Sequence, residues 1–332
     1  MSTVRRTARG NLTLPVFFPL FLLWLTGLPN FADATDIAIL KSSELPYYEQ
    51  AVSGFKAGIS PTTKVTEYNL GGQLARGREI GKSLRASPPD LIVAVGLKAA
   101  MAAKLEIFDT PVVFCLVLSP ETHGLPTSNM TGIAVRTSPE VQLTMLRSVM
   151  PNRHRIGVLY DEELSGTFIR DAHRAAKQQG LELVAVAIHG QDDVPKSLRG
   201  LLPTIDALWL TQDQTVISES AIPFFLESTL DAKVPIFTFS STLVQQGALG
   251  ALIVDAWAVG QQAARIAQAR LKEPAASTGT LQAPERPQLA LNLHSAEYLG
   301  LTLPSEVVRL AGQLFGGPGA MAQKPASSDL IP

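Results

Sequence analysis

The sequence predicts an α/β protein of two lobes, each built on a parallel sheet and joined by a hinge. Three observations carry that expectation. Short apolar runs alternate with helix-period segments from Asp36 to about Leu271, the rhythm of βα units and parallel sheets. The strand-like runs number about ten, too many for one comfortable open sheet, so two sheets of about five divide them. The rhythm pauses and restarts near Val135, where one lobe gives way to the next.

The first 34 residues read as a leader. Arg5, Arg6 and Arg9 give a positive segment, an apolar run follows from Leu12 to Leu28, and Pro29 ends it. Ala32-Asp33-Ala34 then supplies small residues at the −3 and −1 positions of a signal-peptidase site, so cleavage after Ala34 leaves Thr35 first. An uncleaved anchor is the alternative. Its apolar core would sit at the short limit of the ~17–25 residues a span needs, and Pro15 and Pro19 interrupt it. The mature chain is expected in the periplasm.

Ile37–Leu40 reads as a strand, followed by a helix with Tyr48, Val52, Phe55 and Ile59 on one face. Val65–Leu70 and Gln73–Arg85 continue the alternation. Asp90–Gly96 is apolar throughout, as a strand covered on both faces requires. Lys98–Ile107 is helical and Thr110–Val117 a strand. After a strand at Thr131–Val135, Ser138-Pro139-Glu140 opens a helix with a hydroxyl cap, proline at the first position and an acid in the first turn. The second half places strands at Arg155–Tyr160, Leu181–Ile188, Ala207–Thr211, Val234–Phe239 and Leu249–Val254. Helices lie at Ser165–Gln179, near Val194–Leu202, at Ser218–Asp231 and at Ala258–Leu271. From Gly316 the chain reads as a disordered tail, 316–332.

Lysine and arginine total 28 against 29 acids, and no basic patch stands out, which argues against nucleic acid as a partner. Cys115 is the single cysteine, so no intramolecular disulfide forms, and its apolar surroundings read as core. The Rossmann dinucleotide fingerprint, the P-loop, the nucleophile elbow and H-E-x-x-H are absent, and the five histidines are scattered without ligand spacing. No catalytic constellation, cofactor or metal is expected. An exported two-lobed α/β chain of this kind suggests a binder that closes a cleft on a small molecule.

The stretch from Leu289 to Ala311 matches a recognisable ending, N-x-x-x-A-x-x-L/Y-G-L-T-x-P, through Asn292, Ala296, Gly300, Leu301, Thr302 and Pro304. Asp90–Ala99, Asn129–Ile133, Gly247–Asp255 and Gly260–Ala264 match further segments of the same pattern. Over nearly all of the mature length the chain resembles the ABC-transporter substrate-binding protein family that includes tryptophan- and tyrosine-binding members. The resemblance implies a type I periplasmic-binding-protein fold of two Rossmann-like lobes. The first would take 36–134 plus 252–275 and the second 135–251 plus 276–315. It also implies a periplasmic solute-binding component of an ABC importer, a monomer that docks on a membrane permease. Two loops depart from the pattern: Leu97 follows Gly96 where relatives carry Thr or Ser, and Leu118-Ser119-Pro120 stands where T-D-P is common. The resemblance therefore names the family and not the ligand. A receptor lobe serving a membrane histidine kinase, and an exported enzyme on the same scaffold, stay open as alternatives.

Strand carboxyl ends supply the candidate ligand-binding residues. In the first lobe these are Ser42, Ser43, Gly96 and Ser119. Glu121 nearby reads more as a solvated loop charge. The second lobe offers Tyr160 and Asp161, Asp213, and Phe239 with Ser240. Asp213 and Asp161 are candidates to pair with a ligand cation, and Tyr160 and Phe239 to stack on it. Asp255 opens the last helix, where it could cap, serve the hinge or touch ligand. Trp209, in a strand heading for the cleft, and Trp257, just past a crossover, are the expected reporters of closure.

Overall fold

The structure is a computed structural model that describes residues 35–218, 220–273 and 279–316. The leader 1–34, with its cleavage site, and the tail beyond Gly316 lie outside the described residues.

The chain begins with β1 (Asp36–Lys41), α1 (Pro46–Gly58), β2 (Lys64–Asn69), α2 (Leu74–Ala86), β3 (Leu91–Val95), α3 (Leu97–Glu106), β4 (Val112–Val117) and β5 (Met130–Ala134). These strands run parallel in the order β2-β1-β3-β4-β5. Every residue of β3 is buried, as is every residue of β4, because helices cover both faces of the sheet. Cys115 sits in that core, and burial pushes its thiol up to about 12.

The second half repeats the scheme. It comprises α4 (Pro139–Val149), β6 (Arg155–Asp161), α5 (Glu162–Gln178), β7 (Glu182–Ile188), α6 (Val194–Leu201), β8 (Ala207–Trp209), α7 (Ala221–Asp231), β9 (Ile236–Thr238), α8 (Ser241–Gln246) and β10 (Gly250–Val254). Again the order is β7-β6-β8-β9-β10, all parallel. Ser138 caps α4 by accepting from the Val141 amide at 3.4 Å, and Pro139 follows it, as the local sequence predicts. Gly180, with φ +70°, ends α5 as expected.

The end of the chain departs from the expected division. Helix α9 (Ala256–Lys272) leaves the second lobe and packs on α1 of the first. Strand β11 (Thr280–Gln282) then joins the first sheet beside β5, although the sequence reading assigns everything from 276 onward to the second lobe. Only after it does the chain return, through β12 (Pro287–Asn292), α10 (Leu293–Tyr298), α11 (Ser305–Leu310) and β13 (Gln313–Phe315). β12 lies antiparallel to β10, so the second sheet is not wholly parallel. Among the described residues the sheets thus have six and seven strands rather than about five each. The first return crossing also falls after Val254 rather than at 252, because β10 stays with its sheet through Val254.

The α1–α9 contact leaves no room for a methyl group. A Cβ at Gly260 would lie 2.0 Å from the Ala51 carbonyl oxygen, and one at Gly54 would lie 2.0 Å from the Trp257 carbonyl oxygen. Both obstacles are backbone and cannot rotate away. G260A should therefore destabilise the protein by about 1–3 kcal/mol through overpacking, read as a lower urea midpoint. A midpoint equal to wild type would mean that the helices are not held at this separation.

Candidate functional site

Both lobes reverse strand order at one point: between β1 and β3 in the first, and between β6 and β8 in the second. At such a reversal the connections leave for opposite faces of the sheet and a crevice opens outside the strand carboxyl ends. A cleft of about 420 Å³ lies there, within the ~300–1,000 Å³ usual for small-molecule sites. Ser42 and Ser43 after β1, Leu97 and Lys98 after β3, Leu116 at the end of β4, Leu118 and Ser119 after it, and Thr122 and His123 beyond line it from the first lobe. Leu164, Ser165, Gln212, Asp213 and Gln214 line it from the second.

Ser42 is fixed on several sides. Its hydroxyl accepts from the Ala99 amide at 3.0 Å, capping α3 from another strand, while its backbone bonds Val95 and Gly72. Gly96 has φ +85°, and a Cβ there would meet the Ser42 hydroxyl at 2.6 Å and the Tyr48 ring at 2.7 Å. The glycine thus admits Tyr48, which lines the cleft and whose phenol burial pushes above its ordinary pKa. Leu45, not Ser43, is the residue before the first turn of α1, so the Ser43 hydroxyl has no capping duty. The β4 end is strained. Its register breaks between Phe114 and Val117, and Leu116 and Ser119 hold φ of +57° and +45°. Each costs on the order of 1–3 kcal/mol, and such residues gather where ligands are held.

Outside the cleft lining, a stack ties the first interlobe crossing to the second-lobe core. The Arg136 guanidinium lies 3.8 Å over the Phe168 ring, and Phe168 packs 5.6 Å from Trp209. Trp209 donates to Gln142 at 3.1 Å, and Gln142 donates to the Thr137 carbonyl at 2.8 Å, closing a circuit beside Arg136. Burial lowers the pKa of Arg136, opposed by the fields of Glu121 and Asp213. No carboxylate among the described residues comes within 4.0 Å of it.

The sequence profile of the ABC transporter substrate binding protein family matches residues 36–315. The chain belongs to that family. A tyrosine-binding protein of Clostridioides difficile is 24% identical over 247 residues, covering 70% of this chain and 71% of that one. A Streptococcus pneumonia ABC domain in complex with L-Trp superimposes with a TM-score of 0.61 at 23% identity, over 85% of this chain and 100% of that one. A ligand-free, open substrate-binding protein with adhesive properties from Clostridium difficile gives 0.73 at 21% identity, over 86% and 100%. The fold is that of the type I periplasmic binding proteins. No helix among the described residues is long and apolar enough to cross a membrane.

In this ABC transporter substrate-binding protein, the residues read from the sequence divide sharply. Ser42, Ser43, Ser119 and Asp213 line the cleft. Asp213 nonetheless has no free carboxylate. It is fully buried, with one oxygen accepting from the Asp161 amide at 2.9 Å and the other from the Thr215 and Val216 amides. Asp161 caps α5 through the Glu163 and Leu164 amides and accepts from the Thr215 hydroxyl at 2.8 Å. Asp255 caps α9 through Trp257 and Ala258 and accepts from Gln288 at 2.9 Å across the lobe crossing, so hinge and capping account for it. Phe239 belongs to the second-lobe core, and Tyr160 packs against that lobe's other cluster beside Glu162. Ser240 is fully buried ahead of α8, its hydroxyl without a protein partner. Gly96 supports Tyr48 and stands behind the cleft wall. Trp209 is fully buried and does not face the cleft.

Sequence reasoning missed Lys98, Tyr48, His123, Ser165 and Gln212, which line the cleft. Gln212 could have been found, since it adjoins Asp213 at the same strand end.

D161A should cost about 0.5–2 kcal/mol of stability, the range for a lost cap, and D213N about 1–3 kcal/mol, both with ligand affinity intact. Hydrogen bonds, from the Thr215 hydroxyl first, hold the Asp161 carboxyl below its usual pKa. Its stabilisation is therefore complete above the ordinary ~3.9 and lost as pH falls through the lower folded value. Urea unfolding of D161A should accordingly fall less steeply below about pH 4 than that of wild type. Lost affinity at unchanged stability in either variant would return that aspartate to the ligand.

Proposed function

We propose that this protein is the exported solute-binding component of an ABC importer, with its leader removed after Ala34. It works in the periplasm as a monomer, takes a small ligand between its lobes, closes on it and presents it to a membrane permease. The cleft at two facing topological switch points is the observation that carries this reading. Groups from both lobes line it, so a ligand that touches both favours the closed form by its differential contacts.

The connections suit a hinge. The chain crosses between lobes near 135–138, at Val254–Asp255 and at 283–286. The Tyr47 hydroxyl donates to the Val254 carbonyl at 2.9 Å. Gln262 on α9 donates to the Ala283 carbonyl and accepts from the Glu285 amide. These bonds anchor two crossings on the first lobe, leaving the second free to swing about them. Hydroxyls at Ser43 and Ser119 and the amide of Gln212 supply polar contacts amid apolar walls, the composition usual for small-molecule sites.

Native mass spectrometry of protein recovered from the periplasm should reveal a mature chain starting at Thr35 carrying one small molecule. Adding that molecule back to stripped protein should shrink the radius of gyration in small-angle scattering. It should also alter the emission of Trp257, which stands 43% exposed beside the crossing at Asp255. Tight binding with neither change would replace hinge closure with a rigid scaffold. A chain that never carries a small molecule would overturn the transport reading.

A further inference from the structure

We infer that Leu45 and Leu164, one from each lobe, meet across the mouth of the cleft when the lobes close and form an apolar latch that favours the closed form. The inference rests on the hinge-closure reading above and concerns what, besides ligand, holds the lobes together.

A single leucine in water needs no explanation, because apolar atoms make up much of any protein surface. Two on facing lips of one cleft do. Among the described residues, Leu45 at 39% and Leu164 at 47% are the exposed large apolar side chains that line the cleft; others, such as Phe108, Tyr298 and Leu310, do not line it. The two occupy corresponding places. Each follows a strand at which its sheet reverses order: Leu45 between β1 and α1, Leu164 in the first turn of α5 after β6. Neither belongs to the core of its own lobe. Helix α5 buries Ser165, Ile169, Ala172 and Ala176 along one stripe, and Leu164 lies off that stripe.

Both are presented from fixed backbone. Pro46 restricts Leu45 to the extended region it occupies, with φ −82° and ψ 138°. The Leu45 carbonyl accepts from the Tyr48 and Glu49 amides at 2.9 and 3.0 Å. Leu164 sits in a capped helical turn, its amide donating to the Asp161 carboxylate at 3.4 Å. Little backbone freedom is therefore left to lose when the two meet. Taking their apolar area out of water offsets part of the cost of closure. A contact made only between closed lobes shifts the equilibrium toward closure. Because neither side chain carries charge, the latch acts whatever the charge of the ligand beneath it.

Disulfide trapping tests this, because Cys115 is the single cysteine and lies buried, its thiol pushed up to about 12 and so unreactive. Under copper-phenanthroline oxidation with no ligand added, L45C/L164C should cross-link, which requires Cα atoms ~4.4–6.8 Å apart. The oxidised protein should have a smaller radius of gyration than the reduced one. A second pair, T122C/Q214C, joins the two lobes at other lining positions and reports closure without the leucines. Adding L45S or L164S to that pair should slow its cross-linking by about 3–10-fold, the loss expected for part of a leucine's apolar area. L45S and L164S together should slow it little more than either alone. Thermal melts of the reduced proteins should match wild type, since both leucines are exposed, and this keeps lost closure apart from lost folding. If T122C/Q214C cross-links and contracts the protein while L45C/L164C does not, the latch is wrong and hinge closure stands. The same holds if L45S and L164S leave the trapping rate unchanged, or if their effects simply add. Cross-linking of L45C/L164C without contraction would place the leucines together in the open form and also overturn the latch. If neither pair cross-links, the latch and hinge closure fall together.

Discussion

Where strand order reverses in a parallel sheet, the loops leaving two neighbouring strands turn to opposite faces, and neither can fill the gap between them. This protein meets that constraint twice, at β1–β3 and at β6–β8, and sets the two gaps facing each other. The rest of the site follows from it. Ser42 must staple β1 to the start of α3, Gly96 must yield its space to Tyr48, and the β4 end must bulge to bring Leu116 and Ser119 to the cleft. On the far side, the buried Asp213 carboxylate does for the β8 loop what Ser42 does for the first lobe: it gathers amides from two chain segments.

Both lobes are therefore braced by hydrogen bonds where they line the cleft. The Gln262 bonds, the Asp255–Gln288 bond and the contact between Tyr47 and Val254 connect the interlobe crossings to rigid elements. Under the proposed hinge closure, a substitution at Gln288 would act on lobe angle without approaching the cleft, since its amide reaches the cap of α9 from a second-lobe strand.

Apart from the short α8, which the sequence reading did not name, strand and helix positions were legible from Ile37 to Leu271, because burial on both faces writes itself as unbroken apolar runs such as Leu91–Val95. The closing segments were not legible as strands. Pro287–Asn292 carries the family ending in its residues, but nothing local announces an antiparallel partner in β10. Thr280–Gln282, a short exposed edge strand, has no apolar run to betray it. At the cleft, small hydroxyls after strands could be found from position alone. The aspartates were harder, because a short acid after a strand reads the same whether it faces a ligand or its own helix. Asp161 and Asp255 turned inward to cap, and Asp213 to brace a loop.

Helix α9 has a consequence for how the chain is made. It covers α1, and β11 completes the edge of the first sheet, yet both arrive only after the whole of β6 to β10. The amino-terminal lobe thus leaves the ribosome without one of its outer layers and without its last strand, and it cannot close until residue 282 is available. Contacts between segments so far apart in sequence form slowly. The first lobe, whose outer helix and edge strand come from the chain's end, completes its fold only after the second lobe's parallel strands have been made.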